Sequence, residues 1–130
     1  MNRNFLSIAA LLGALSVVLG AFAAHKLKEI VSPDAVAVFE TGVRYQFYHV
    51  FALLMVALLS EKFANKWMIW AGNCFITGII LFCGSLYVLT ALKAADSGSL
   101  KYVGIVTPVG GLFFIAGWLF LWIGVTAKKA

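Results

Sequence analysis

The chain has 130 residues, a net charge of +5, 63% apolar residues and only 12% charged ones, with a mean hydropathy of +1.00. Soluble domains hold about 45–50% apolar and about 25% charged residues, so composition excludes a soluble globular domain and makes lipid the expected solvent. The ten basic residues stand in ones and twos between apolar runs, which excludes the gathered basic face that nucleic-acid binding needs.

Four apolar runs follow in chain order, at about residues 5–24, 43–60, 67–92 and 102–126. A helix of ~20 residues crosses the ~30 Å hydrocarbon layer. The expected fold is therefore all-α: one four-span transmembrane domain over residues 1–130, an antiparallel four-helix bundle with an amphipathic segment between helices one and two.

The first run has a short positive start at Arg3 and a small-x-small pattern at Ala21-Phe22-Ala23, as a cleavable signal peptide would. Its apolar stretch exceeds the usual length of such a peptide, and it carries Ala9, Gly13, Ser16, Gly20 and Ala23 at spacings of 4, 3, 4 and 3. Small residues so spaced make a flat seam for another helix, so the run reads as a retained span.

In loop one, Ser32-Pro33-Asp34 is a helix start, with serine as cap, proline at the first position and an acid in the first turn. Ala35, Val38, Phe39, Gly42 and Val43 then form an apolar stripe, giving an amphipathic helix that lies on the surface or leads directly into span two. Glu40, Arg44, Tyr45, Gln46, Tyr48 and His49 enter that span. Thr41, Arg44, Tyr45, Tyr48, His49 and Ala52 fall within an arc of about 140°, expected to turn toward the bundle because arginine and histidine facing lipid are costly. Glu40 and Arg44 have the spacing of an i,i+4 ion pair.

Loop two is short, and Asp96-Ser97-Gly98-Ser99 in loop three is turn chemistry. Between them, span three contains Thr77, Gly84 and Ala91 at sevens, read as a packing seam, and Ser85, Tyr87 and Thr90 near its end. Its cysteines, Cys74 and Cys83, would lie about 13 Å apart along a helix, too far for a disulfide. Span four opens with Thr107-Pro108 and carries Gly110, Gly117 and Gly124 in heptad spacing; the proline is expected to bend the helix.

Alternating spans put both termini on one side. Trp67, Trp70, Trp118 and Trp122 then map on or toward that side, while Tyr45, Tyr48, Tyr87 and Tyr102 map to the other, as interfacial aromatics do. The basic residues split five against five between the sides, and the termini are taken as cytoplasmic.

The polar residues that need an explanation gather on the tyrosine side: His25, Glu40, Arg44, Tyr45, Gln46, Tyr48, His49, Ser85, Tyr87 and Thr107. One reading is structural, with these groups bonding neighbouring helices. Another is a polar pocket for a lipid headgroup, a quinone or another small ligand, or a haem held by His25 and His49. A metal site lacks the dense His, Cys and carboxylate set it needs. Transport through the same pocket around His25 and His49 is a further alternative, although the membrane-embedded carboxylate of small proton-coupled exporters is missing; a hydrolase lacks a nucleophile paired with a base.

Gly20-Ala21-Phe22-Ala23-Ala24-His25 with Leu27-Lys28, then Phe39, Thr41-Gly42, Arg44-Tyr45-Gln46-Phe47-Tyr48-His49, Gly84-Ser85-Leu86-Tyr87, Ile105-Val106-Thr107-Pro108-Val109-Gly110-Gly111 and Gly117-Trp118 together resemble the YgdD/YwdK-like family of small four-span membrane proteins (domain of unknown function 423; in animals, transmembrane protein 256-like). The likeness reaches all four spans. Ala23 replaces a frequent glycine and Val109 a frequent isoleucine. The resemblance implies a multi-pass protein of the bacterial inner membrane without an assigned activity, and it supplies no catalytic residues. The expectation is a non-enzymatic structural, accessory or lipid-interacting component, without cofactor or metal, whose partners are membrane lipids and a homo-oligomer or another membrane protein.

Overall fold

A computed structural model describes residues 1–95 and 100–128, apart from the side chains of residues 100 and 101. The turn expected at Asp96-Ser97-Gly98-Ser99 lies outside the described residues. All elements among them are helical. Four helices are long and apolar enough to cross a membrane: span one (Arg3–Ala24), span two (Pro33–Leu59), span three (Lys66–Ala94) and span four (Tyr102–Thr126). A short helix, Lys26–Ile30, follows span one.

Local chemistry starts each of the first three spans. Asn2 accepts the Phe5 amide at 3.0 Å, while its own amide donates to the Ala57 carbonyl, fastening the chain start to the end of span two. Ser32 caps the Ala35 amide with Pro33 behind it. The helix then runs unbroken to Leu59, so the amphipathic segment is the first part of span two. Asn65 takes the Trp67 and Met68 amides, and its Nδ2 donates to the Gly124 carbonyl at 2.9 Å, joining the start of span three to the end of span four.

Half of the apolar stretch of span two is buried within the protein, against 17% for span one and 22% for span four. Spans two and three are therefore central, and spans one and four flank them. The flanking helices turn Leu11, Val17, Val18, Ile105 and Leu112 outward, the apolar exterior that a hydrocarbon solvent favours.

Glycines fix the registers. A Cβ on Gly13 would touch Val50 at 3.5 Å, and one on Gly20 would touch Val43 at 3.6 Å. Between spans three and four the fit is tighter: Gly110 faces Phe82, Gly117 faces Phe75, Gly124 faces Met68, and Gly78 faces Phe114. Residue numbers rise on one helix as they fall on the other, so each pair is antiparallel. Large side chains seven apart on span three sit over glycines seven apart on span four.

Gly84 is different: a Cβ there would meet nothing within 4 Å, so at Gly84 the expected Thr77–Gly84–Ala91 seam makes no close contact with another helix. A π-helical turn, Ile79–Cys83, interrupts span three between Thr77 and Gly84. One extra residue rotates everything beyond it by about 100° relative to an unbroken α-helix, and the seven-residue spacing loses its phase there. That same turn sets the Phe82 backbone against Gly110, where a Cβ would stand 2.7 Å from the Phe82 Cα.

The two glycines therefore respond oppositely to one methyl group. Gly110→Ala forces backbone against backbone and is expected to cost about 1–3 kcal/mol by overpacking, whereas Gly84→Ala leaves stability unchanged or raised. Thermal unfolding in mild detergent compares the two. Equal melting temperatures would show that the Gly110 contact is not a packing constraint.

Candidate functional site

The ten residues singled out by sequence separate into three bonded groups and an exposed remainder. At the junction of spans one, two and three lies Gln46, 1% exposed. Its Nε2 donates to the Leu12 carbonyl at 3.1 Å, and its Oε1 accepts from the Tyr87 hydroxyl at 2.7 Å. The Leu12 carbonyl also accepts from Ser16 Oγ at 2.7 Å. Gly42, one turn before Gln46, makes room for the Tyr87 ring: a Cβ there would lie 2.7 Å from Tyr87 Cε1. Tyr87 is thus an interhelical bond rather than an interfacial anchor.

Ser85 and Thr107 share a hydrogen bond of 2.6 Å between spans three and four, one residue before Pro108. Thr90, also buried, bonds to the Leu86 carbonyl in its own helix and to the Ala35 carbonyl of span two.

The third group centres on His49. Span one is centred near Gly13, which faces Val50, and spans three and four are centred near Gly78 and Phe114, which face each other. His49 stacks on Phe114 with ring centroids 3.5 Å apart and planes within 8°, so it sits at the mid-depth of the four spans. Its Nδ1 lies 2.7 Å from the Tyr45 carbonyl, and its Nε2 lies 3.1 Å from the Trp118 indole nitrogen. A carbonyl only accepts and an indole N–H only donates. The ring is therefore the neutral Nδ1–H form, donating to Tyr45 and accepting from Trp118, and both nitrogens are engaged. Phe75 completes the surround, with its centroid 5.7 Å from the imidazole.

Beside this group runs a groove of about 500 Å³, within the size range of ligand sites. Tyr45, Tyr48, Phe82, Gly111, Ile115 and Trp118 form its walls, with the buried His49 and Phe114 rings at its base. Tyr48, Ile115 and Trp118 are exposed, so the groove opens to the surroundings of the spans.

The expected inward arc of span two is only partly realised. His49 and Ala52 turn inward and Thr41 is half-buried, while Arg44, Tyr45 and Tyr48 face outward; beside that arc Gln46 is buried and Glu40 exposed. The central position of span two buries one side only, and its polar arc straddles the boundary. Glu40 and Arg44 do not form the ion pair their spacing allows; the one ion pair among the described residues is Lys26–Glu29.

His25 and His49 do not meet. The pairing of Gly20 with Val43 and Gly13 with Val50 brings His25 level with Val38, eleven positions and about 16 Å along the axis from His49. Two axial ligands of one haem iron must face each other across a single ring, and this offset does not allow it. His25 is exposed and closes span one, its Nδ1 2.9 Å from the Ala21 carbonyl. Among the described residues, no three His, Cys, Asp or Glu side chains gather as a metal site would require; Cys74 and Cys83 are both free.

Trp118 is the residue that sequence reasoning assigned to another role. Trp67 and Trp70 do behave as interfacial residues, packed edge to face with Lys66 Nζ 5.1 and 5.3 Å from their ring centroids. Trp118, eight residues before Thr126, lies about 12 Å inside the end of its helix, too deep for that belt. That depth was the available signal.

The family described as "Protein of unknown function (DUF423)" matches residues 19–111. The chain is 38% identical over 130 residues to a "UPF0382 membrane protein" of Haemophilus influenzae, covering 100% of this chain and 99% of that one. It is 38% identical over 119 residues to "UPF0382 membrane protein SH2409" of Staphylococcus haemolyticus, covering 92% of each. Against "UPF0382 inner membrane protein YgdD" of Escherichia coli K12 it is 34% identical over 128 residues, covering 98% of this chain and 93% of that one. No solved structure matches.

The Gln46 junction is testable without knowing a ligand. Gln46→Leu strands the Tyr87 hydroxyl, and Tyr87→Phe strands the Gln46 oxygen; a double-mutant cycle in detergent should give a coupling of about 0.6–1.7 kcal/mol, the range for hydrogen bonds between membrane helices. Strictly additive losses would mean that the two side chains do not act as a pair.

Proposed function

The chain belongs to the DUF423 family of unknown function, and on that premise we propose that it is a non-enzymatic, lipid-interacting component of the membrane, whose groove beside His49 and Trp118 holds a lipid chain. The groove carries this reading. It lies at mid-depth of four membrane-capable helices, it opens outward, and its walls are aromatic and aliphatic. Hydrocarbon is the material that surrounds a helix at that depth.

The chemistry of the site favours a holding role over a reactive one. Both His49 nitrogens are engaged, and no buried side-chain nitrogen or oxygen among the described residues lacks a partner. A general base or nucleophile needs a free atom within reach of a substrate. Relatives named as membrane and inner membrane proteins support placement in a bacterial inner membrane, with the termini assigned to the cytoplasm. A structural or accessory role beside another membrane protein belongs to the same reading, because the outward faces of spans one and four are wholly apolar over several turns.

Gly111 provides the test. A Cβ there would make ordinary contact with Phe82 at 3.8 Å, and Gly111 lines the groove, so a side chain added at this position starts without a clash between the helices. Gly111→Phe should keep the melting temperature in detergent and lose the phospholipid that the wild-type protein carries through mild purification, as read by native mass spectrometry. Equal lipid on both proteins would remove the groove from the explanation.

A further inference from the structure

We propose that the outward ridge of span two, Glu40–Arg44–Tyr48, selects the headgroup of the lipid in the groove, and that this lipid is a zwitterionic glycerophospholipid with a primary amine, a phosphatidylethanolamine. The inference rests on the groove reading and extends it to a ligand class.

Residues four apart on a helix stand one above another on the same face. Tyr48 forms the rim of the groove, Arg44 lies one turn above it toward loop one, and Glu40 one turn above that. All three are exposed. Measured from His49 at mid-depth, Arg44 lies about 7.5 Å and Glu40 about 13.5 Å toward the loop-one side. The hydrocarbon half-thickness is about 15 Å, so Arg44 starts within the apolar layer and Glu40 near its edge. Helical side chains lean toward the N-terminus of their helix, which for span two is the loop-one end, and both groups therefore reach outward to headgroup depth.

Neither charge is paired among the described residues. Glu40 and Arg44 make no ion pair with each other or with another described residue. Lys28 lines one recess with Glu40 and does not pair with it. A guanidinium rooted in the apolar layer without a counter-charge is costly, and a phosphate is the anion that a lipid brings to that depth; its oxygens match the planar fork of arginine. Beyond the phosphate, an ethanolamine headgroup carries a primary ammonium with three N–H donors, and Glu40 is the acceptor standing outward of Arg44. The order of charges along the ridge, positive inside and negative outside, complements phosphate inside and ammonium outside. A choline headgroup has no N–H to donate. A glycerol headgroup leaves Glu40 facing a net anion.

The full chain in mild detergent, incubated with equal amounts of phosphatidylethanolamine, phosphatidylcholine and phosphatidylglycerol of identical acyl chains, reports the selection by native mass spectrometry. The expected result is preferential retention of phosphatidylethanolamine. Glu40→Gln should lower its retention relative to phosphatidylcholine by roughly ten-fold, the scale of one hydrogen bond to a charged group. Arg44→Gln should lower retention of all three. Because both side chains are exposed and unpaired, the variants should melt with the wild type. Equal retention of the three lipids, or preference for phosphatidylglycerol, overturns the headgroup inference and leaves the groove reading standing. Retention of none overturns both. A delipidated dimer that both substitutions dissociate would assign the ridge to a second copy of the chain and also overturn the inference.

Discussion

Inside a hydrocarbon layer a side-chain amide has no solvent to bond with, so every such group must be answered by protein. Gln46 is where this constraint organises the fold. It is all but fully buried, and its two functional atoms reach two different helices: Nε2 to the Leu12 carbonyl of span one, and Oε1 to the Tyr87 hydroxyl of span three. Spans one and three are thereby both tied to span two through one side chain at one depth. The arrangement also needs Gly42, since only a residue without Cβ lets the Tyr87 ring pass close enough to deliver its hydroxyl. Glycine and glutamine one turn apart form a single device, one admitting the tyrosine and the other binding it.

Spans three and four are joined differently. Lipid tails are as apolar as leucine, so no hydrophobic gain drives one apolar helix onto another; close packing and interhelical hydrogen bonds do the work. Four glycine contacts supply the packing, with Phe75, Phe82, Met68 and Phe114 filling the space that absent side chains leave. Bonds at the two ends set the register: Ser85 with Thr107 near loop three, and Asn65 with the Gly124 carbonyl near the termini. Pro108 lies beside the first of these. Polar closure at the ends and steric closure between them hold one register, where a smooth apolar interface would slide.

Span existence was legible because length and hydropathy in lipid leave few alternatives, and the start of span two was legible because Ser32-Pro33-Asp34 carries its own capping chemistry. The spacing of Gly110, Gly117 and Gly124 named residues that do meet span three. Gly84 had the same spacing and no neighbour, because the π-helical turn changes the phase of span three and nothing in Ile79-Ile80-Leu81-Phe82-Cys83 announces such a turn. Periodicity also says which residues share a face, not which way the face looks. Gln46 and Arg44 both read as polar residues of span two, yet one is 1% exposed within the protein and the other lies on its exterior. What separates them is the position of Tyr87 and Leu12 on other helices, a fact of tertiary structure.

His49 follows from the same constraint. An ionisable residue at the centre of a membrane protein invites a catalytic or proton-carrying interpretation, and its local bonding argues for another role. Trp118 is 47% exposed and stands in the wall of the groove, where its indole N–H would otherwise point into hydrocarbon unbonded. The Nε2 lone pair of His49 takes that proton donor, and the Tyr45 carbonyl fixes the tautomer that makes the lone pair available. Phenylalanine in place of His49 would fill similar space and leave the indole N–H without a partner, at a cost of about 1–3 kcal/mol. Stacked flat on Phe114, the imidazole serves as a fixed acceptor that holds the indole in one orientation. Trp118 stands in the groove wall, so the width of the groove depends on that orientation and the buried imidazole at its base helps to set it.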